Sequence, residues 1–165
     1  MSRGFRPAVR GLVIDDDDHV LMVRLVFPHG AYWVLPGGGI EEDEDVLDAL
    51  RRELREETGL VDPAIGACVW NHLHEFRLVD SAGTEWNGQH ESVFLVRVER
   101  FGVQPSMTTE QLRAENLHEH RWWAVDEIAA YDGTDLFAPR DIHVHIRAVL
   151  RDGPPVVPFE IHQVN

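Results

Sequence analysis

The chain has 165 residues, 44% apolar and 27% charged, which suits one domain around a substantial core. Its formal net charge is -14, and its 15 basic residues are all arginine and scattered, so the basic stripe that stable nucleic-acid binding needs is missing. No apolar run reaches the roughly 18–20 residues of a membrane span, residues 1–10 hold no apolar leader, and Cys68 is the lone cysteine, so a protein of the reducing cytoplasm is expected.

Residues 8–15 read as a strand, Asp15, Asp16, Asp17 and Asp18 as a turn, and residues 19–27 as the returning strand of a hairpin. A short strand over 32–35 is halted by Pro36 and three glycines, Gly37, Gly38 and Gly39. Residues 45–58 form a helix closed by Gly59. A second long hairpin spans 64–79 and 89–100, with its tip around Ser81, Ala82 and Gly83, and residues 101–116 read as a long loop. Residues 117–125 form a strand, and Asp126 caps a short helix ending near Tyr131. The last helix covers 139–152: Pro139 fits its first turn, Ile142, Ile146, Val149 and Leu150 recur at helical spacing, and Gly153 ends it. Pro154, Pro155 and Pro158 make the tail, 153–165, extended. Without a repeat or a linker, residues 1–165 are expected to be a single domain with a mixed sheet covered by helices, α/β or α+β in class.

The chemistry concentrates in residues 38–60. At about 100° per residue, Leu47, Leu50 and Leu54 form an apolar stripe, with Asp48, Arg51 and Arg55 on a solvent face. Glu53, Glu56 and Glu57 share one side, and Glu57 adjoins the stripe. Carboxylates at such spacings repel one another, more strongly at the edge of a core than in water. A divalent cation removes the repulsion, and carboxylate oxygens are hard ligands suited to Mg2+ or Mn2+. Glycines in the preceding turn let backbone approach a metal or phosphate closely. From acid content alone, a surface helix laced with arginine–glutamate pairs is the favoured reading of the segment.

Gly38, Glu44, Arg52, Glu53, Leu54, Glu56, Glu57, Gly59 and Leu60 together resemble the Nudix box, matching all nine of its positions without a gap. A chance match in a chain of this length has a probability on the order of 1 in 10 million. Residues 33–38, Arg121-Trp122-Trp123 and Asp126-Glu127-Ile128 resemble the family's flanking segments. The resemblance implies a Nudix α/β/α sandwich, with a mixed sheet between helices. It implies metal ligation by Glu53, Glu56, Glu57 and the Gly37 carbonyl, with Mg2+ or Mn2+ as cofactor. Arg52 is similar to the arginine that orients a box glutamate, and Glu44 to that arginine's partner. The implied reaction is attack of water on phosphorus in a small nucleotide-type substrate, such as a nucleoside triphosphate or another compound with a nucleoside diphosphate linked to a second moiety. Glu53 is a candidate for the proton acceptor; Glu91, Glu110, Glu115 and Glu119 are others. A noncatalytic nucleotide sensor on the same fold is the alternative, and a homodimer is compatible with the sequence.

Weaker signals complete the reading. His72 and His74 share a strand face, as do His118 and His120, a spacing that zinc can use, but no further ligand follows from the sequence. Phe76 and Trp86 are the aromatic residues best placed to meet a ligand, whereas Trp33, Trp70, Trp122 and Trp123 read as core or sheet-face residues. Cys68 reads as a buried small apolar residue.

Overall fold

Alternation along the first strand sets the layering of the core. The computed structural model describes residues 4–164. In β1 (Arg6–Ile14), Val9 and Val13 face one helix layer, while Leu12 and Ile14 face the other, as a period of two requires. The chain continues through β2 (His19–Phe27), β3 (Gly30–Val34), β4 (Gly37–Gly39) and α1 (Val46–Thr58). There follow β5 (Cys68–Val79), β6 (Glu85–Arg97), α2 (Thr109–Ala114), β7 (Leu117–Ala124), α3 (Val125–Ala129), β8 (Leu136–Ala138), α4 (Ile142–Asp152) and β9 (Phe159–Val164). Among the described residues no helix is long and apolar enough to cross a membrane.

The sheet divides where the first hairpin opens. β1 and β2 register only at Ile14 and Val20. From there β1 runs parallel to β6 and antiparallel to β4, while β2 runs antiparallel to β3 and β7. β5 extends the first half, antiparallel to β6 and parallel to β9; β8 extends the second, parallel to β3. Helix α1 covers one face through Ala49, Leu50 and Leu54, and α4 covers the other through Ile142, Ile146 and Val149. Burying each of these leucine, isoleucine and valine side chains contributes roughly 1.5–3 kcal/mol. The result is the expected α/β/α sandwich, its mixed sheet curled so that its diverging halves leave a cleft.

Helix α1 has the ends its sequence calls for. The Asp45 carboxylate accepts from the Leu47 N–H at 3.1 Å, and Gly59 adopts φ 81°, its N–H donating to the Arg55 carbonyl. Its buried face is rotated from the expected stripe: Leu47 is only half-buried, and Ala49, Glu53 and Glu57 are buried beside Leu50 and Leu54. The surface opposite explains this. Helix α1 lies over Gly11 of β1 and the three glycines of β4, and a Cβ on Gly38 would stand 2.7 Å from the Glu53 carboxylate. Bare backbone therefore leaves room for carboxylates where leucines would otherwise pack.

Several other expectations are corrected. The presumed loop over 101–116 contains α2, which Thr108 and Gln111 close with a reciprocal capping box while Leu112 anchors it to Val23, Val34 and Leu117. Asp126 is not the cap of α3. Ala124 holds that position, and the Glu127 carboxylate accepts its N–H at 2.8 Å. Helix α4 begins at Ile142, with Pro139 buried just ahead of it. The extended tail adds a strand, β9, to the sheet edge. Cys68 is half-exposed rather than buried.

Candidate active site

Three carboxylates converge where α1, β4 and the end of α2 meet. Glu53, Glu57 and Glu115 each present an oxygen within 4.8 Å of the other two. Glu53 and Glu57 are one helical turn apart on the buried face of α1, and Glu115 follows directly after α2. Burial pushes the Glu53 carboxyl up to about 7, with Glu115 and Glu56 adding to the shift while Arg52 opposes it. Burial also raises Glu57 well above the usual carboxylate range, with the charge of Glu53 reinforcing it. Glu115 is exposed, and its carboxyl is raised by partial loss of solvent on the side facing the cluster and by Glu56. Ionising all three together is unfavourable without a counter-ion, and a set of hard oxygen donors fits a divalent cation such as Mg2+ or Mn2+.

Arg52 organises the neighbourhood. Its guanidinium donates to Glu44 at 2.8 and 2.9 Å, to Glu53 Oε1 at 3.0 Å, to Glu56 at 3.4 Å and to the Gly39 carbonyl at 3.2 Å. Glu44, lowered first by its bond from Arg52, also accepts from the Glu41 N–H. Glu56 thus sits at the edge, paired with Arg52 and outside the tight trio. Glu57 Oε2 accepts from the Gly37 N–H at 3.0 Å, which ties α1 to β4, the strand that the glycines form where a turn was expected. Gly37 has φ 148°, and a Cβ there would collide with the backbone of Val9 and Arg10.

Glu91 lies deeper, on β6. Its Oε1 accepts from Arg10 Nε at 2.7 Å, and its Oε2 lies 3.3 Å from His72 Nδ1. Arg10 also donates to the Leu35 and Gly37 carbonyls, at 2.9 and 3.5 Å. Burial alone would raise Glu91, but the Arg10 charge and the bonds from His72 and Arg10 outweigh it and hold the carboxyl at about 2. A folded value below the unfolded one stabilises the fold above the unfolded value of 4.5, and that contribution is lost as pH falls towards 2. The shift from 4.5 to about 2 corresponds to about 3 kcal/mol. Glu91→Gln should therefore cost about 3 kcal/mol in denaturant-measured stability at pH 7, and the gap from wild type should narrow as the pH is lowered from about 5 to 3.

The carboxylates line a cleft of about 530 Å³ that also takes in Gly37, Gly38, Gly39, Arg10 and Glu91. Phe76 lines it, as does His74, whose ring stacks on His72 at 5.2 Å. Trp86 is not among the lining residues, and its indole donates to Asp80 at 2.9 Å. Trp33, Trp70 and Trp123 are core residues, and Trp122 packs edge-on against Phe101. Glu119 pairs with Arg24 at 3.4 Å, and neither it nor Glu110 lines the cleft that holds the trio. Sequence reasoning missed Arg6, Phe27, His29 and Tyr32, all of which line the cleft.

The profile of the NUDIX domain matches residues 4–143. The chain belongs to the Nudix family. Nudix hydrolase 25 of Arabidopsis thaliana is 32% identical over 143 residues, covering 82% of this chain and 81% of its own length. An RNA pyrophosphohydrolase of Halorhodospira halophila is 38% identical over 102 residues, covering 59% of this chain but 55% of its own. In three dimensions the fold resembles the MutT protein of Methanosarcina mazei Go1, with a TM-score of 0.64 at 18% identity over 92% of this chain and 99% of that one. In this Nudix hydrolase, residues 38–60 of the family box supply two of the three clustered carboxylates, and the third comes from outside it.

Proposed function

We propose that this Nudix hydrolase is a metal-dependent pyrophosphohydrolase that cleaves the phosphoanhydride of a small nucleotide-type substrate. The observation that carries the reading is the convergence of Glu53, Glu57 and Glu115 on one cleft. These three, with Glu56 and the Gly37 carbonyl, would hold Mg2+ or Mn2+. A cation bound there supplies Lewis-acid polarisation of the phosphoryl oxygens and a lowered pKa for water.

The chain's own residues divide the remaining work. Glu53, within the trio, accepts the proton from water, while Glu91, held at about 2 by Arg10 and His72, is a poor base. In this reading Glu91 acts as a positioning residue: it fixes Arg10, which braces the carbonyls of Leu35 and Gly37. Arg52 is likewise a positioning residue, holding Glu53 from the side. The intact carboxylate trio favours catalysis over a noncatalytic nucleotide sensor.

The test is a panel of nucleoside triphosphates, nucleotide sugars, dinucleoside polyphosphates and triphosphorylated RNA, with product identification. A nucleoside monophosphate or a phosphorylated fragment should form with Mg2+ or Mn2+, stop with EDTA and resume on re-addition. Undiminished turnover in EDTA would contradict the proposal.

A further inference from the structure

Helix α1 is held at its C-terminal end by residues far away in the chain. The last four carbonyls of a helix have no partner within it. Here all four find one. The Arg55 carbonyl accepts from the N–H groups of Gly59 and Ser106 at 3.0 and 3.1 Å, the Glu56 carbonyl from Met107 at 3.2 Å, and the Thr58 carbonyl from Gln104 at 3.1 Å. The Glu57 carbonyl accepts from a side chain, Nε2 of His120, at 2.6 Å. Gly59 lets residues 104–107 come this close, since a Cβ there would collide with the Gln104 carbonyl.

Two consequences converge on the carboxylates. Residues 104–107 lead directly into Thr108, the cap of α2, and α2 ends at Glu115. The segment that closes α1 therefore also delivers the third carboxylate of the trio. Glu57, in turn, is fixed at both ends: its carboxylate accepts from the Gly37 N–H of β4, and its carbonyl from His120 of β7. His120 is half-buried and pairs with Val23 across the β2–β7 ladder, so the donor stands on a rigid strand rather than on a loop. A carbonyl oxygen only accepts, so Nε2 carries the proton. Burial lowers the ring's pKa, against the opposing bond to Glu57, which suits a neutral donor. The zinc spacing of His118 and His120 finds no further ligand among the described residues, and His118 is exposed.

Resting on the metal-dependent reading above, we propose that His120 is a positioning residue for the cation site: by holding the Glu57 backbone from β7, its Nε2–H sets the affinity of the carboxylate trio for a divalent cation. Groups that orient a metal ligand without touching the metal commonly change affinity by about 10-fold or more when removed.

The test is calorimetric titration with Mn2+ alone, with thermal unfolding in EDTA to follow the fold. His120→Met keeps about the length of the side chain and offers no donor, so it should bind Mn2+ about 10-fold or more weakly than wild type. His120→Gln, whose amide nitrogen can stand where Nε2 does, should restore the wild-type affinity. If His120→Met does not fold, His120→Asn, whose amide is too short to reach the carbonyl, carries the same comparison. A bond with a structural role alone would lower the melting temperature of His120→Met in EDTA and leave its Mn2+ affinity unchanged; that result would overturn the proposal, as would equal weakening by methionine and glutamine. Wild type that binds no Mn2+ would overturn the metal-dependent reading itself, whereas equal binding by wild type and His120→Met would overturn only the role of His120.

Discussion

Glu53→Gln is expected to lower kcat by about 100-fold or more while KM changes little. Glutamine preserves the shape of the side chain and can still accept the hydrogen bond from Arg52, so the local arrangement should persist. What it loses is the ability to take a proton and the charge it would offer a cation, so kcat and KM are compared at saturating Mg2+ and metal affinity is measured alongside. The KM–kcat split is informative because a merely structural role would disturb substrate binding as well. Glu115→Gln is the control. A mild Glu53→Gln beside a severe Glu115→Gln would move the proton acceptor to the end of α2, where the third carboxylate of the trio resides.

The second large effect is on metal binding. Wild type should gain about 2.7 kcal/mol of stability at a Mg2+ or Mn2+ concentration 100 times its Kd. Glu57→Gln should weaken the cation's binding by about 10-fold or more and so remove about half or more of that gain. The argument is electrostatic. Glu57 is 5% exposed beside Glu53, and its carboxyl is raised well above the usual range because burial and its neighbour both disfavour the charge. The amide oxygen of glutamine can keep the bond from the Gly37 N–H, so β4 should stay in place without the charge. Metal-free Glu57→Gln should therefore be at least as stable as metal-free wild type at pH 8, where the native carboxylates repel. Thermal unfolding with and without cation reads both effects. An undiminished metal-induced shift in the variant would remove Glu57 from the site.

The parts that sequence reasoning reached are those whose causes are local. Asp45, the leucine spacing and Gly59 define α1 within one short segment, and hairpin alternation defines β1, β2, β5 and β6 to within a few residues. Helix α2 escaped because six residues carry too little periodicity, although Thr108 and Gln111 form a readable capping box. The rotation of α1 was hidden because it depends on what lies opposite: only when β1 leaves β2 and pairs with β4 do bare glycines meet the helix. The cleft walls were hidden for the same reason. Arg6 and Phe27 are more than 20 positions apart, and they line one cleft because β1 and β2 diverge after a single registered pair. Glu115 could be named as a candidate, but its place beside Glu53 and Glu57 requires α2.

The central claim is that water, assisted by this carboxylate cluster, attacks phosphorus. Hydrolysis of a cleaved nucleotide substrate in 18O-labelled water with Mg2+ tests it directly, by mass spectrometry of both products. The account predicts one heavy oxygen in a phosphate group of one product and none in the sugar or base. Label confined to a non-phosphate product, or cleavage with no label incorporated, would contradict it.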